Sequence, residues 1–353
     1  MTTLREVLKK NNVAKFLVNT VRFLKAVRVY NATGVTPEYG YNSARYLYFA
    51  TNKLSHKLFA AAQNFADRKN RVTISNPVGI LGDMSTANLK NFMQNLREDG
   101  FHRFGQLLPP DMCDDLLHFA LTTPAKPRIA RFEGKIVYDR NNLVANLYDF
   151  DAQSLLENRS VQRIITDESL LSVAHEFLGP SVRLQNVSMW WSNADFHNVS
   201  KDTAAQMYHV DMDTIRWLNF FFYLVDVDTH NGYLVDVDTH NGPHVYIRRS
   251  HRQAPKSVYR DYRIPDEEIA QVFAPEDIVE LTGPRGTILA VDTLGLHKGK
   301  ALERGERLML TVRFAVNNFG AGAPSKVQIN EKFSPEFLAK IDQNPSVYRR
   351  GYF

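Results

Sequence analysis

Met207-Tyr208-His209-Val210-Asp211 is the stretch on which the reading of this chain turns. In extended backbone, side chains two positions apart share a face, so the His209 imidazole and the Asp211 carboxylate can converge on one ion while Val210 turns into packing. A third donor sits in Gly295-Leu296-His297-Lys298-Gly299, shortly after the apolar run Thr287 to Val291. Asp211 and His297 are 86 positions apart, a separation that only a folded-back barrel closes. Two histidines and one carboxylate make the facial triad of non-haem Fe(II) oxygenases, which leaves three coordination positions open for substrate and O2. A lone His-x-Asp arises often by chance; the residues beyond His297 give it weight. Arg307 comes ten positions later and opens Arg307-Leu-Met-Leu-Thr-Val-Arg313, whose members 307, 309, 311 and 313 share one face of a strand. A guanidinium there can grip a dicarboxylate through paired hydrogen bonds, with Arg307 the first candidate and Arg313 its substitute.

Around these residues the chain reads as strand. Val182 to Ser192, Met207 to Asp211, Trp217 to Val227, His244 to Ile247, Ile278 to Leu281, Gly286 to Val291 and Leu308 to Phe314 are short β-branched and aromatic runs separated by turn residues. That texture predicts an antiparallel sandwich or barrel. Helices are predicted before it: 40–66, 85–95 with Ser85 and Thr86 as cap candidates, 110–121 opened by Pro109-Pro110-Asp111, and 167–177 closed by Gly179-Pro180. A short strand is expected at 101–104, and strand-like segments between 129 and 151. The predicted class is α+β, with 1–80 a basic helical extension, 81–330 the barrel domain with flanking helices, and 331–353 a C-terminal tail.

Composition narrows the function classes. With 353 residues, 44% hydrophobic and 23% charged, the chain can bury one large core, which excludes a disordered or fibrous protein. The single Cys113 permits no intrachain disulfide and no cysteine-based cluster, and it fits a reducing, cytoplasmic setting. No stretch approaches the roughly 18 apolar residues of a membrane span, and no secretory signal is evident. Charge is uneven: residues 1–72 hold 13 Lys/Arg against 3 Asp/Glu, while the remainder is net acidic. Within 1–30, Val13, Phe16, Leu17, Val21, Leu24 and Val27 recur at helical spacing, with Lys15, Arg22 and Lys25 on the other side. Such a basic amphipathic helix either packs its apolar face on the main domain or a second subunit, or makes a peripheral membrane contact. No specific nucleic-acid motif accompanies it.

One oddity is a perfect tandem copy, Tyr223-Leu-Val-Asp-Val-Asp-Thr-His-Asn-Gly232 followed by the same ten residues to Gly242. Two copies of a ten-residue unit make a local duplication rather than a repeat architecture. An even insertion preserves the in-and-out alternation of a strand, and Asn231-Gly232 and Asn241-Gly242 are hairpin-turn signals. Asp228, His230, Asp238 and His240 look metal-like, but duplication alone explains their recurrence.

From about Gly100 to Phe314 the chain resembles the phytanoyl-CoA dioxygenase branch of the Fe(II)/2-oxoglutarate-dependent oxygenases. The resemblance rests on Tyr208-His209-Val210-Asp211, on Phe220 to Asp228 leading into Asn241-Gly242-Pro243-His244-Val245, on Arg249-Ser250-His251-Arg252, and on His297 with Arg307. It implies a double-stranded β-helix (jelly-roll, cupin-like) with flanking helices. It implies iron on His209, Asp211 and His297, and the distal carboxylate of 2-oxoglutarate on Arg307. The implied reaction consumes O2 and releases succinate and CO2 as a small-molecule substrate is hydroxylated. Halogenation is disfavoured because Asp211 fills the ligand position that halogenases leave to chloride. The substrate is not legible, though Trp190, Trp191, Arg131, Tyr138, Arg140 and Asn141 are candidates to reach the pocket. The duplication and the basic segment before residue 80 depart from the family pattern. They leave a second expectation, an impaired barrel acting as a binding or structural module, membrane-associated through its N-terminal helix.

Overall fold

A computed structural model of the chain describes residues 12–70, 72–105, 107–130, 132–194, 206–225, 242–303, 305–320, 326–349 and 352–353. Helices α1 (Asn12–Thr33), α2 (Glu38–Ala50) and α3 (Leu54–Ala66) come first, then the two-residue strands β1 (Val78–Gly79) and β2 (Gly82–Asp83). Next are α4 (Thr86–Asp99), β3 (Phe101–Arg103), α5 (Pro110–Thr122), β4 (Lys126–Pro127) and β5 (Leu147–Asp149). Three helices, α6 (Ala152–Glu157), α7 (Arg159–Ile165) and α8 (Glu168–Leu178), lead into the long strands β6 (Arg183–Asn193) and β7 (Trp217–Tyr223). The chain continues through β8 (His244–Ile247), α9 (Asp266–Ala270), β9 (Ile278–Leu281), β10 (Ile288–Val291), β11 (His297–Gly299) and β12 (Glu306–Ala315), and ends in α10 (Pro335–Gln343) and α11 (Pro345–Tyr348).

Apart from the small β1-β2 pair, the strands form a seven-stranded sheet, β3-β10-β7-β12-β6-β5-β4, and a three-stranded sheet, β11-β8-β9, with every pairing antiparallel. The large sheet follows the two-residue period of extended backbone closely. On one face Leu308, Leu310, Val312 and Phe314 of β12 join Leu218, Phe220 and Phe222 of β7 and Met189 and Trp191 of β6 in the main core, against the helices. On the other face Arg307, Met309, Thr311 and Arg313 line a cavity with Asn186, Ser188, Trp190 and Ser192 of β6 and Asn219 and Phe221 of β7. The β6–β12 register shifts between Arg313 and Phe314. That shift lets β6 present Leu184 and Val187 to the same core although they are three apart. The two sheets meet through a cluster of Tyr223, Tyr246, Leu281, Leu289, Val291 and Met309.

The expected strands appear, with Met207–Asp211 reduced to single bridges at Tyr208 and His209. The helix expected over 40–66 is two helices, broken where Asn52 and Lys53 take positive φ of 48° and 73°. The break lets the Lys53 ammonium donate to the His251 carbonyl at 2.7 Å and sit 3.8 Å from the Tyr259 ring centre. The C-terminal stretch is packed structure: Phe337, Ile341, Val347, Tyr348 and Tyr352 lie in the main core.

The first helix corrects an expectation. Its inward face is Phe23, Ala26 and Tyr30, which belong to the core that the sheet builds. Phe23 meets Phe59 of α3 and Phe319 edge-on, with centroids 5.3 and 5.5 Å apart. Of the stripe read from the sequence, only Val27 packs on that core; Val13, Phe16, Leu17, Val21 and Leu24 are exposed. Tyr30 also meets Phe319 edge-on, with the small Ala26 between it and Phe23, and these aromatic contacts set the helix's rotation.

Candidate metal centre

The 86-residue gap between Asp211 and His297 is closed by backbone. His209 N donates to His297 O at 2.9 Å, His297 N donates to His209 O at 3.0 Å, and Asp211 N donates to Thr293 O at 3.1 Å. The imidazoles are thereby brought to 4.4 Å between ring centres. Asp211 reaches both, its Oδ1 lying 3.5 Å from His209 Nε2 and its Oδ2 3.6 Å from His297 Nε2. One donor atom from each residue lies within 4.8 Å of the others. Three donors held about 2.1 Å from one ion at right angles lie roughly 3 Å apart, so a small contraction closes the set.

The unused ring nitrogens fix the tautomer. His209 Nδ1 donates to Met207 O and His297 Nδ1 donates to Gly295 O, each at 2.9 Å. A carbonyl only accepts, so each Nδ1 carries the proton and each Nε2 lone pair is free for a metal. The His297 segment is itself buttressed: Ser250 Oγ accepts from Leu296 N at 2.7 Å and donates to Ile247 O at 2.7 Å. Gly295 has no room for a side chain, since a Cβ would stand 1.9 Å from the Tyr246 hydroxyl. That hydroxyl donates to Asp292 O at 2.8 Å, locking the turn that carries the Gly295 carbonyl.

Electrostatics suit a cation. Burial works to raise the Asp211 carboxyl, but His297, His209 and Arg313 together hold it well below the ordinary carboxylate range. Burial pushes His297 down to about 4, with His209 adding to the shift and Asp211 opposing it, so the ring is neutral near pH 7. These residues line one cavity of about 320 Å³ that also holds Arg307 and Arg313.

The two arginines differ in what they already touch. Arg313 is engaged: Nη1 pairs with Asp213 at 2.5 Å, Nε donates to Asn219 Oδ1 at 2.8 Å, and Nη2 is 3.9 Å from Asp211 Oδ2. Arg307 is buried, has no acid partner among the described residues, and its Nε lacks a hydrogen-bond partner. Burial lowers its pKa from the usual guanidinium value, against the opposing influence of Tyr223. A desolvated cation without an anion is costly, and a ligand carboxylate is the partner that would relieve it.

Of the expected pocket contacts, Trp190 is in the cavity. Trp191 turns to the helical side, donates to Ala120 O at 3.2 Å and stacks on Tyr138 with centroids 4.5 Å apart. Tyr138 and Arg140 are instead drawn to Glu306, whose two oxygens they meet at 2.7 Å each. Asn141 is exposed, and Arg131 lies outside the described residues. Asp228, His230, Asp238 and His240 likewise fall outside them. At the duplication's ends, the Tyr223 hydroxyl on β7 reaches across to accept from His244 N on β8 at 3.5 Å.

His244 is a cavity residue that sequence reasoning passed over. Its ring stacks on His297 at 5.1 Å and meets Phe221 at 4.9 Å. It is buried with Nε2 unpartnered, and burial, then the neighbouring His297, keeps it well below its ordinary pKa and neutral. Alternation from Tyr246, whose side chain lies between the sheets, was the available signal.

The family model for phytanoyl-CoA dioxygenase (PhyH) matches residues 96–303. Comparison with curated proteins finds no match. Among solved structures, EctD from S. alaskensis with bound Fe is similar at 18% identity, covering 75% of this chain and 92% of its own, with a TM-score of 0.45. HygX from Streptomyces hygroscopicus, with nickel, 2-oxoglutarate and hygromycin B bound, is similar at 11% identity, covering 69% and 94%, TM-score 0.42. The epimerase SnoN, in complex with Fe3+, alpha ketoglutarate and nogalamycin RO, stands at 16% identity, 65% and 84% coverage, and TM-score 0.42. The family model spans more than half of the sequence and takes in both halves of the His209, Asp211 and His297 group, and the chain belongs to the phytanoyl-CoA dioxygenase family.

Proposed function

We propose that this protein is an Fe(II)/2-oxoglutarate-dependent dioxygenase that hydroxylates a small molecule. In this reading His209, Asp211 and His297 hold the iron, and Arg307 receives the distal carboxylate of 2-oxoglutarate. The observation that carries it is the pairing of a pre-oriented His-Asp-His set with a buried guanidinium lacking an acid, in one cavity. When bound, the metal and 2-oxoglutarate supply the oxidising chemistry with O2; the chain's own groups position it. The Nδ1 bonds keep both imidazoles aimed, Asp211 neutralises part of the ion's charge, and Arg313 with Asn219 and Asp213 braces the carboxylate side. Phe221, Trp190 and Met309 make the cavity wall partly apolar, which restricts water around the reacting centre.

The two sheets are read as the halves of a double-stranded β-helix, with 81–330 the catalytic unit, 1–80 a basic helical extension and 331–353 a C-terminal segment packed on the main core. The test is succinate release from 2-oxoglutarate by the full chain with Fe(II) and ascorbate, which detects uncoupled turnover before any substrate is known. Turnover that disappears in Asp211→Ala supports the proposal. No turnover together with no iron retained by the wild-type chain overturns it.

A further inference from the structure

The outward face of α1 is apolar in a way that neither the fold nor the metal centre uses. Val13, Leu17, Val18, Val21 and Leu24 are each between 41% and 67% exposed. They lie on the side of the helix opposite Phe23, Ala26 and Tyr30, which anchor it to the core. Helix α3 repeats the pattern: Leu54, Leu58 and Phe65, spaced at four and seven residues, are between 53% and 67% exposed, while His56 and Ala60 face inward. The Phe23–Phe59 contact ties the two helices into one layer. Single exposed hydrophobes are ordinary on protein surfaces, whereas exposed apolar stripes at helical spacing on two helices that touch mark a docking surface.

Charge decides the occupant. Helix α1 contains no Asp or Glu, and its Arg22, Lys25 and Arg28 are exposed among the apolar residues. Residues 12–70 as a whole hold nine Lys/Arg against Glu38 and Asp67. A second copy of this chain would set cations against the same cations across a two-fold axis, where like charges repel. An anionic bilayer accepts both features at once, because the leucines and valines enter the headgroup–acyl boundary while the cations meet lipid phosphates and carboxylates. No helix among the described residues is long and apolar enough to cross a membrane, so the contact is peripheral. We propose that the α1–α3 layer docks this protein on anionic lipid surfaces, with α1 lying in the interfacial plane.

The experiment is co-sedimentation of the full chain with vesicles of equal parts phosphatidylserine and phosphatidylcholine, and with pure phosphatidylcholine. Each Lys or Arg near such a surface strengthens binding roughly fivefold, so three give on the order of a hundredfold preference for the anionic vesicles. The preference should collapse near 1 M salt, where the screening length falls to about 3 Å. The double variant Leu17→Glu/Leu24→Glu should lose more than tenfold in partition while its circular dichroism is unchanged. Val137→Glu, at an isolated exposed valine, should bind as the wild type does. Three results overturn the proposal: no sedimentation of the wild type with anionic vesicles, sedimentation unchanged by the double variant, or a dimer that the double variant dissociates without any vesicle binding.

Discussion

Replacing Arg307 by methionine should make the ligand-free protein more stable and its grip on 2-oxoglutarate weaker, two effects of opposite sign from one side chain. Arg307 is buried, has no acid partner among the described residues, and its Nε is unpaired. A buried polar group left unsatisfied costs about 1–3 kcal/mol, and methionine fills similar space without that cost. Unfolding entropy of about 2.1 cal/mol/K per residue, over 353 residues, converts this to a rise in Tm of about 1–4 °C. Loss of a two-bond grip on a carboxylate, about 3 kcal/mol, weakens binding roughly a hundredfold. At a concentration one hundred times the wild-type Kd, 2-oxoglutarate stabilises the wild type by about 2.7 kcal/mol, or about 4 °C. The variant would gain only about 0.4 kcal/mol, about half a degree. Thermal melts of the metal-loaded protein with and without 2-oxoglutarate read both effects together. If Arg307→Met melts lower than wild type without ligand and keeps the full 2-oxoglutarate shift, while Arg313→Met loses it, the assignment of the clamp is wrong.

Removing His209, Asp211 or His297 by alanine should abolish stoichiometric iron on metal analysis rather than merely slow turnover, because two donors do not complete a facial set. Gly295→Ala should weaken iron affinity about 10–100-fold with the ligands intact, since the new Cβ collides with the Tyr246 hydroxyl and displaces the carbonyl that orients His297. Unchanged affinity in an iron titration would show that this carbonyl does not steer the ring. His56 lies far from these groups in sequence and is buried, with burial pushing its pKa down to about 3. In the unfolded chain it protonates as pH falls through about 6.5, but in the folded chain it stays neutral to about pH 3. Unfolding therefore takes up a proton in that window, and stability falls by up to about 1.4 kcal/mol per pH unit from pH 6.5 toward pH 3. His56→Gln should flatten the slope of denaturant-derived stability against pH there; an unaltered slope refutes the prediction.

Much of the large sheet was legible because period-two alternation is local: 307, 309, 311 and 313 face the cavity as the spacing required. The convergence of His209 with Asp211 was legible for a similar reason, since residues two apart in extended backbone share a side, whereas the approach of His297 depends on its backbone bonds to His209. The rotation of α1 was not, because Phe23, Ala26 and Tyr30 make a three-residue stripe as helical in period as the one chosen, and only tertiary packing against Phe59 and Phe319 separates them. The break at Asn52 and Lys53 was hidden for a similar reason, since neither residue is a usual helix stop and the turn is held by a lysine reaching the carbonyl of His251, nearly two hundred positions away. Arg307 and Arg313 were ranked by their distance from His297, but what distinguishes them, occupied against unoccupied hydrogen-bonding capacity, is visible only when Asp213 and Asn219 are in place.

The perfect identity of the two copies gives the tandem repeat an unusual property. Whichever ten residues are cut out, 223–232 or 233–242, the sequence left behind is identical, so one shortened gene product stands for both excisions. In it, Phe222 would still be followed by Tyr-Leu-Val and His244 still preceded by Asn-Gly-Pro. Either excision would alter only the sequence between β7 and β8 and would leave His209, Asp211 and His297 untouched.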